Sequence, residues 1–186
     1  MNEIEALEAV KHALKTRRYE HTLRVTDEAE TLARKYGANI KEARLAAILH
    51  DYAKYRPTEE MRRSIQMEKS LPNQLLDYGN EILHAFVGAL YVKKELQIED
   101  ENILLAITYH TTGRKEMTLL EKIIFIADYI EPGRTFPGVE EVRTVAEKDL
   151  DKACFYALRN TIQFLVKKEQ PVYPDTFEAY NYFANK

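Results

Sequence analysis

The chain has 186 residues, enough to bury a sizeable core within one compact domain. Hydrophobic residues make up 45% and charged residues 31%, which excludes a disordered chain, and a net charge of -3 excludes global attraction to nucleic acid or an anionic membrane surface. Cys154 is the only cysteine, so an intramolecular disulfide is excluded and a reducing compartment fits.

Apolar residues recur at helical spacing and alternating runs are nearly absent, so an all-α fold of roughly nine or ten helices is predicted. The first helix, near residues 3–15, carries Glu3, Glu5 and Glu8, unlike a basic signal peptide with an apolar centre, so no export is expected; His12 reads as surface or packing. In the second, near 17–36, Val25, Ala29, Leu32 and Tyr36 form one stripe, with His21 one turn before Val25. Gly37 stops this helix, and Asn39, with Glu42 placed as in a capping box, opens a third near 40–54 that carries the pair His50-Asp51.

Short elements near 58–69 and 74–78 follow, and then a helix near 81–96 sets His84 between Ile82-Leu83 and Phe86-Val87. A helix near 101–110 ends at His110, which follows Ile103, Ala106 and Ile107 at helical spacing. Thr118 with Glu121 repeats the capping device before a helix near 119–129, where Asp128 follows an apolar run. That run is far shorter than the roughly 20 residues needed to span a bilayer. Helices near 140–148, 150–168 and 176–183 complete the chain, with Cys154 read as buried packing. No repeat or linker divides it, so residues 1–186 are read as a single domain. Three loops hold turn chemistry beside basic or hydroxyl residues, and these are candidates for a ligand mouth: 110–114, 131–134 and 171–176.

An adjacent His and Asp near a helix end can both reach one cation, although the dipeptide alone reads as a hydrogen-bonded or solvated pair. The wider set changes the weighting. Four of the five histidines, His21, His50, His84 and His110, and two aspartates, Asp51 and Asp128, all fall on inward faces. Each would carry a desolvation cost there, and a bound cation offsets it. A nitrogen and oxygen ligand set suits iron, manganese, zinc or cobalt better than calcium.

The series His21, His50-Asp51 and Asp128 resembles the H…HD…D signature of the HD superfamily of metal-dependent phosphohydrolases. The stretches Arg18-Tyr-Glu-His-Thr-Leu23, Leu49-His-Asp-Tyr-Ala-Lys54, Tyr109-His-Thr-Thr-Gly-Arg114 and Ile126-Ala-Asp-Tyr-Ile-Glu-Pro-Gly-Arg134 closely resemble the bacterial YqeK-type family. Phe136-Pro-Gly-Val-Glu-Glu141 and Pro171-Val-Tyr-Pro-Asp-Thr176 extend the likeness nearly to the C-terminus. The resemblance implies a single HD-domain helical bundle, with a divalent metal, iron, held by His21, His50, Asp51 and Asp128. It implies symmetrical hydrolysis of diadenosine tetraphosphate to two ADP. One tight metal is the minimal expectation; whether His84 and His110 complete a second site or contact phosphate stays open.

The metal would lower the pKa of a bound water, so that water is the nucleophile, and polyphosphate cleavage also needs cations on the phosphate oxygens. Asp51, Lys54 and Arg134 are assigned to catalysis. The substrate contacts expected are Arg24, His84, His110, Thr111, Thr112, Gly113, Arg114, Arg134, Asp175 and Thr176. Arg24 lies on the turn after His21, Lys54 one turn beyond His50, and Arg114 and Arg134 end short glycine-containing loops. Each basic residue taken alone reads equally as a solvated charge, the threonines as local caps, and Asp175 as a helix N-cap. Tyr173, Phe177, Tyr180 and Tyr182 are candidates to shelter an adenine ring, with core packing the safer reading.

Three alternatives remain: an HD-type nucleotidase or phosphatase on another nucleotide, a metal- and nucleotide-binding regulatory module, and a helical interaction protein without chemistry. A cytoplasmic enzyme is expected, with a nucleotide as partner and neither a nucleic acid polymer nor a membrane. A homodimer is among the assembly states left open.

Overall fold

The computed structural model describes residues 1–186 and contains ten α-helices and no strand. In chain order they are α1 (Glu3–Ala13), α2 (Thr16–Tyr36), α3 (Ile40–Leu49), α4 (Thr58–Met67), α5 (Asn80–Leu96), α6 (Glu101–Tyr109), α7 (Leu119–Ile130), α8 (Val139–Ala146), α9 (Leu150–Lys167) and α10 (Pro174–Ala184), with a 3-10 turn at Asn73–Asp77 between α4 and α5. The all-α expectation holds. No helix is long and apolar enough to cross a membrane.

The caps explain where the elements begin. Thr118 and Glu121 form a reciprocal capping box at the start of α7, the hydroxyl accepting from the Glu121 N–H and the carboxylate from the Thr118 N–H. Asn39 caps α3 through its side-chain oxygen, but Glu42 accepts from the Asn39 side-chain amide at 2.6 Å rather than from its backbone, so the box expected there is only half formed. Gly37 ends α2 in the left-handed region, φ 74°, where a side chain would be strained.

α7 lies at the centre, with Ile123, Ile124, Ile126 and Ala127 fully buried, and this is why its sequence is apolar all round rather than striped. Each such isoleucine contributes roughly 1.5–3 kcal/mol by leaving water. α2, α6, α8 and α9 pack against α7, and α3 bridges α2, α6 and α7. A smaller apolar cluster under α4 and α5 holds Met61, Leu75, Phe86 and Tyr173. Cys154 is buried in the main core, and burial pushes its thiol up, as its packing role requires.

The third helix is shorter than expected. It stops at Leu49, and tight turns follow, with the Lys54 N–H bonding the Asp51 carbonyl at 2.8 Å. His50 supplies the reason, because its Nδ1 donates to the Ala47 carbonyl at 2.6 Å and competes with the next helical N–H for that oxygen. His110 does the same at the end of α6, donating from Nδ1 to the Ile107 carbonyl at 2.7 Å. Both rings therefore close the helix that carries them, and both turn Nε2 inward.

Candidate metal centre

Five segments meet at one buried point: α2 brings His21, the end of α3 brings His50 and Asp51, α5 brings His84, the end of α6 brings His110, and the last turn of α7 brings Asp128. All four histidines and Asp51 are buried. Six residues spread over more than a hundred positions of chain thus offer ligand atoms that fall into overlapping groups, each spanning no more than 4.8 Å.

Every ring is oriented from behind. Nδ1 of His21 donates to Glu131 Oε1 at 2.9 Å, and Nδ1 of His84 donates to the Asn80 carbonyl at 2.9 Å, as His50 and His110 donate to their own helices. Carboxylate and carbonyl oxygens only accept, so each Nδ1 carries the proton and each neutral ring presents a bare Nε2 lone pair to the cluster. Those lone pairs face anionic oxygens. His21 Nε2 lies 3.0 Å from Asp128 Oδ1, His50 Nε2 lies 3.1 Å from Asp51 Oδ2, and His84 Nε2 lies 3.1 Å from Asp51 Oδ1. Nε2 of His21 and of His50 are buried with no hydrogen-bond partner. Lone pairs packed against carboxylates repel unless a cation lies between them, so this donor set fits a divalent metal.

The electrostatics agree. Burial alone would raise the Asp51 carboxyl, but the surrounding imidazoles of His50, His110 and His84 outweigh it and hold it well below the usual carboxylate range. Asp128 is held down likewise, burial being outweighed by His21, His50 and Arg134. Burial, with His50 and His84 nearby, brings His110 down to about 4, which leaves its ring neutral and able to ligate at pH 7.

Two cavities flank the cluster. The larger, of about 620 Å³, reaches from Asp51, His84 and His110 past Lys54 and Thr111 to an aromatic wall of Phe125, Tyr129, Phe136 and Phe164. The smaller, of about 310 Å³, is bounded by Arg17, Arg18, Arg24 and Arg134 beside His21. Arg134 Nη2 donates to Asp128 Oδ1 at 2.9 Å and its Nε to the Asp128 carbonyl at 3.0 Å. Lys54 lines the larger cavity, with Nζ 2.9 Å from Glu81 Oε2.

Several expected substrate contacts line neither cavity. Arg114 makes a two-pronged pair with buried Glu121, at 2.6 and 2.9 Å, and locks the start of α7 instead. The Thr176 hydroxyl donates to the Thr112 carbonyl at 2.9 Å, the Thr112 hydroxyl to the Gly113 carbonyl at 2.9 Å, and Gly113 packs on Leu158, Ala179 and Phe125. That is an internal clasp between the loop after α6 and the start of α10. Asp175 is not an N-cap, since Tyr173 caps α10 and Pro174 opens it. None of the four aromatics near the C-terminus lines either cavity: Tyr173 packs on Phe86 and Tyr78, Tyr180 stacks on Phe155 and Tyr182 packs on Phe183, as the packing reading has it, whereas Phe177, beside Tyr180, is exposed. Arg24 reaches the smaller cavity, but its Nε is engaged by Glu131 at 2.6 Å.

Two residues at the centre were not singled out from the sequence. Glu131 receives His21, Arg24 and the Gly133 N–H, at 2.6 Å for the last, and no local spacing links it to a ring 110 positions away. Arg18 donates to Asp51 Oδ2 at 3.0 Å; its position one turn before His21 on the same face was the available signal.

The HD domain family model matches residues 18–133. The symmetrical bis(5'-nucleosyl)-tetraphosphatase of Bacillus subtilis is 54% identical over 185 residues, covering 100% of this chain and 99% of that protein. The protein of the same description from Halalkalibacterium halodurans is 56% identical, covering 97% and 96%. A crystal structure of a predicted HD superfamily hydrolase involved in NAD metabolism, from Clostridium acetobutylicum, superimposes with a TM-score of 0.93 at 39% identity, covering 100% of this chain and 98% of that one.

Proposed function

This chain belongs to the HD domain family, and within it we propose a metal-dependent hydrolase that splits diadenosine tetraphosphate symmetrically into two ADP. The observation that carries the reading is the Asp51 carboxylate. One oxygen faces His50 and the other faces His84, each at 3.1 Å, so a single side chain serves two groups of imidazoles. His21, His50, Asp51 and Asp128 are assigned to a tight metal site, and Asp51, His84 and His110 to a weaker second one. Iron is assigned on family resemblance and on the nitrogen and oxygen donors.

When bound, the metal supplies a water of lowered pKa near neutral pH. The chain's own residues do the rest. Glu131 holds His21 in the ligating tautomer, and Arg134 and Arg18 hold Asp128 and Asp51 in place while presenting positive charge to both cavities. Lys54, Arg134 and Thr111 bind the inner phosphates in the larger cavity, and its aromatic wall seats a base and keeps water from the reacting atoms. All six ligands come from one chain, so the site needs no second copy. A cytoplasmic location goes with this reading.

Chromatography of early time points with metal-loaded protein and diadenosine tetraphosphate tests it. ADP alone is expected; ATP and AMP in equal amounts would show asymmetric cleavage and remove the assignment.

A further inference from the structure

The turn after α7, Glu131-Pro-Gly-Arg134, carries the side chains that stand behind two of the ligands, Glu131 behind His21 and Arg134 behind Asp128. Pro132 has no N–H to give the Asp128 carbonyl, so the helix cannot run on, and Arg134 Nε donates to that oxygen instead at 3.0 Å. The carbonyls that come next are taken by one side chain from another helix. Arg143 of α8 donates from Nε to the Ile130 carbonyl at 2.8 Å, and from Nη2 to the Glu131 carbonyl at 2.8 Å and the Arg134 carbonyl at 2.7 Å. Its carboxylate partner is Glu140, exposed and three positions earlier, and such a surface pair contributes little.

The turn is enclosed on both sides. A Cβ on Gly133 would stand 2.7 Å from the Arg24 guanidinium, so the backbone passes flush against α2 there, and Arg143 closes the side toward α8. α8 is itself anchored. Val139, Val142 and Ala146 are buried, the Tyr36 hydroxyl donates to the Ala146 carbonyl at 2.6 Å, and Lys35 Nζ donates to the Glu147 carbonyl at 3.3 Å. The other three rings need none of this, because His50, His84 and His110 each donate from Nδ1 to a carbonyl of the helix or helix end that carries them. Only the His21 and Asp128 side of the cluster depends on the turn.

We propose that Arg143 is a positioning residue of the hydrolase: touching no ligand itself, it fixes the turn that aims Glu131 at His21 and Arg134 at Asp128. The inference rests on the metal-dependent reading of the site and adds a layer of support behind it. A planar fork suits the task, since it reaches three carbonyls at once and sets a positive charge at the negative end of α7. Without it the two supporting side chains lose their backbone anchor, and misplacement of a supporting group by about 1 Å costs turnover on the order of 10²-fold.

Two measurements on the full-length protein test this. In isotope-labelled, metal-free protein, proton NMR reads the four imidazole Nδ1–H signals. Arg143→Ala is expected to move the His21 signal upfield or lose it to exchange with water, while those of His50, His84 and His110 stay in place. In metal-loaded protein with diadenosine tetraphosphate, the same variant is expected to lower kcat about 10–100-fold. Arg143→Lys is expected to return less than about a third of wild-type turnover, since an ammonium keeps the charge but not the fork. Should Arg143→Ala fail to fold, Arg143→Lys carries both measurements. An unmoved His21 signal in the folded variant overturns the inference, and so does kcat within about twofold of wild type. Movement of all four signals together would show a general loosening of the core and overturns it too. If wild type leaves diadenosine tetraphosphate uncleaved, the proposed function falls, and the imidazole signals alone decide the role of Arg143.

Discussion

Oε1 of Glu131 accepts a hydrogen bond from Nδ1 of His21 at 2.9 Å, tying α7 to α2 and leaving Nε2 of that ring 3.0 Å from Asp128. The Arg24 guanidinium and the Gly133 N–H hold the same carboxylate, so three donors fix one oxygen pair behind one ligand. Glu131→Ala is expected to weaken metal binding about 10–100-fold with helical content retained, read by competition with a chromophoric chelator. Unchanged affinity would mean that His21 is oriented without it.

The same carboxylate gives a pH dependence. Burial pushes its pKa up, but the bonds from Arg24, His21 and Gly133 outweigh burial and bring it from 4.5 down to about 2. The unfolded chain therefore takes up this proton first as the pH falls. The stability it provides is complete above the unfolded value and is lost between 4.5 and about 2. Melting temperatures of metal-free wild type and Glu131→Gln should converge across that window, and a gap that stays constant through it would contradict the ion pairing.

Asp51→Ala and Asp128→Ala should each abolish hydrolysis and lower bound metal while leaving the helical fold largely intact. Asp51 should cost more metal, because both of its oxygens face imidazoles whereas Asp128 meets the cluster through one. Elemental analysis beside circular dichroism reads the outcome, and full metal content with full activity in either variant would remove the metal assignment.

Arg134→Ala is expected to lower kcat by about 10²–10³-fold, with a smaller loss of metal. Its guanidinium both holds Asp128 and lines the two cavities. Metal lost in proportion to turnover would show that it acts through Asp128 alone.

Gly113→Ala tests the clasp that replaced a phosphate loop. Gly113 has φ +64°, where a side chain is strained, while an added Cβ would meet Leu158 at 3.4 Å and Ala179 and Phe125 at 3.6 Å in ordinary contact. A loss of about 1–2 kcal/mol is expected from the backbone strain, seen as a lower melting temperature with the metal affinity of the folded fraction unchanged.

Helical periodicity, capping pairs and the placement of His21, His50, Asp51, His84, His110 and Asp128 on inward faces were all legible in the sequence, because each depends on residues a few positions apart. The all-α class followed from the same local rules. Contacts decided by distant segments were not legible. Arg114 stood in a glycine loop just after His110, yet Glu121 is seven positions on and buried, and a buried carboxylate claims the nearest guanidinium. The aromatic wall came from Phe125, Tyr129, Phe136 and Phe164 rather than from the tyrosines after Pro171, because the packing of α7, α8 and α9 opens the cavity there. The sequence by itself determined the helices and which polar groups had to be buried; only the tertiary structure decided which of them meet, since a buried charge pairs with whatever partner the packed helices bring within reach, however far apart the two lie along the chain.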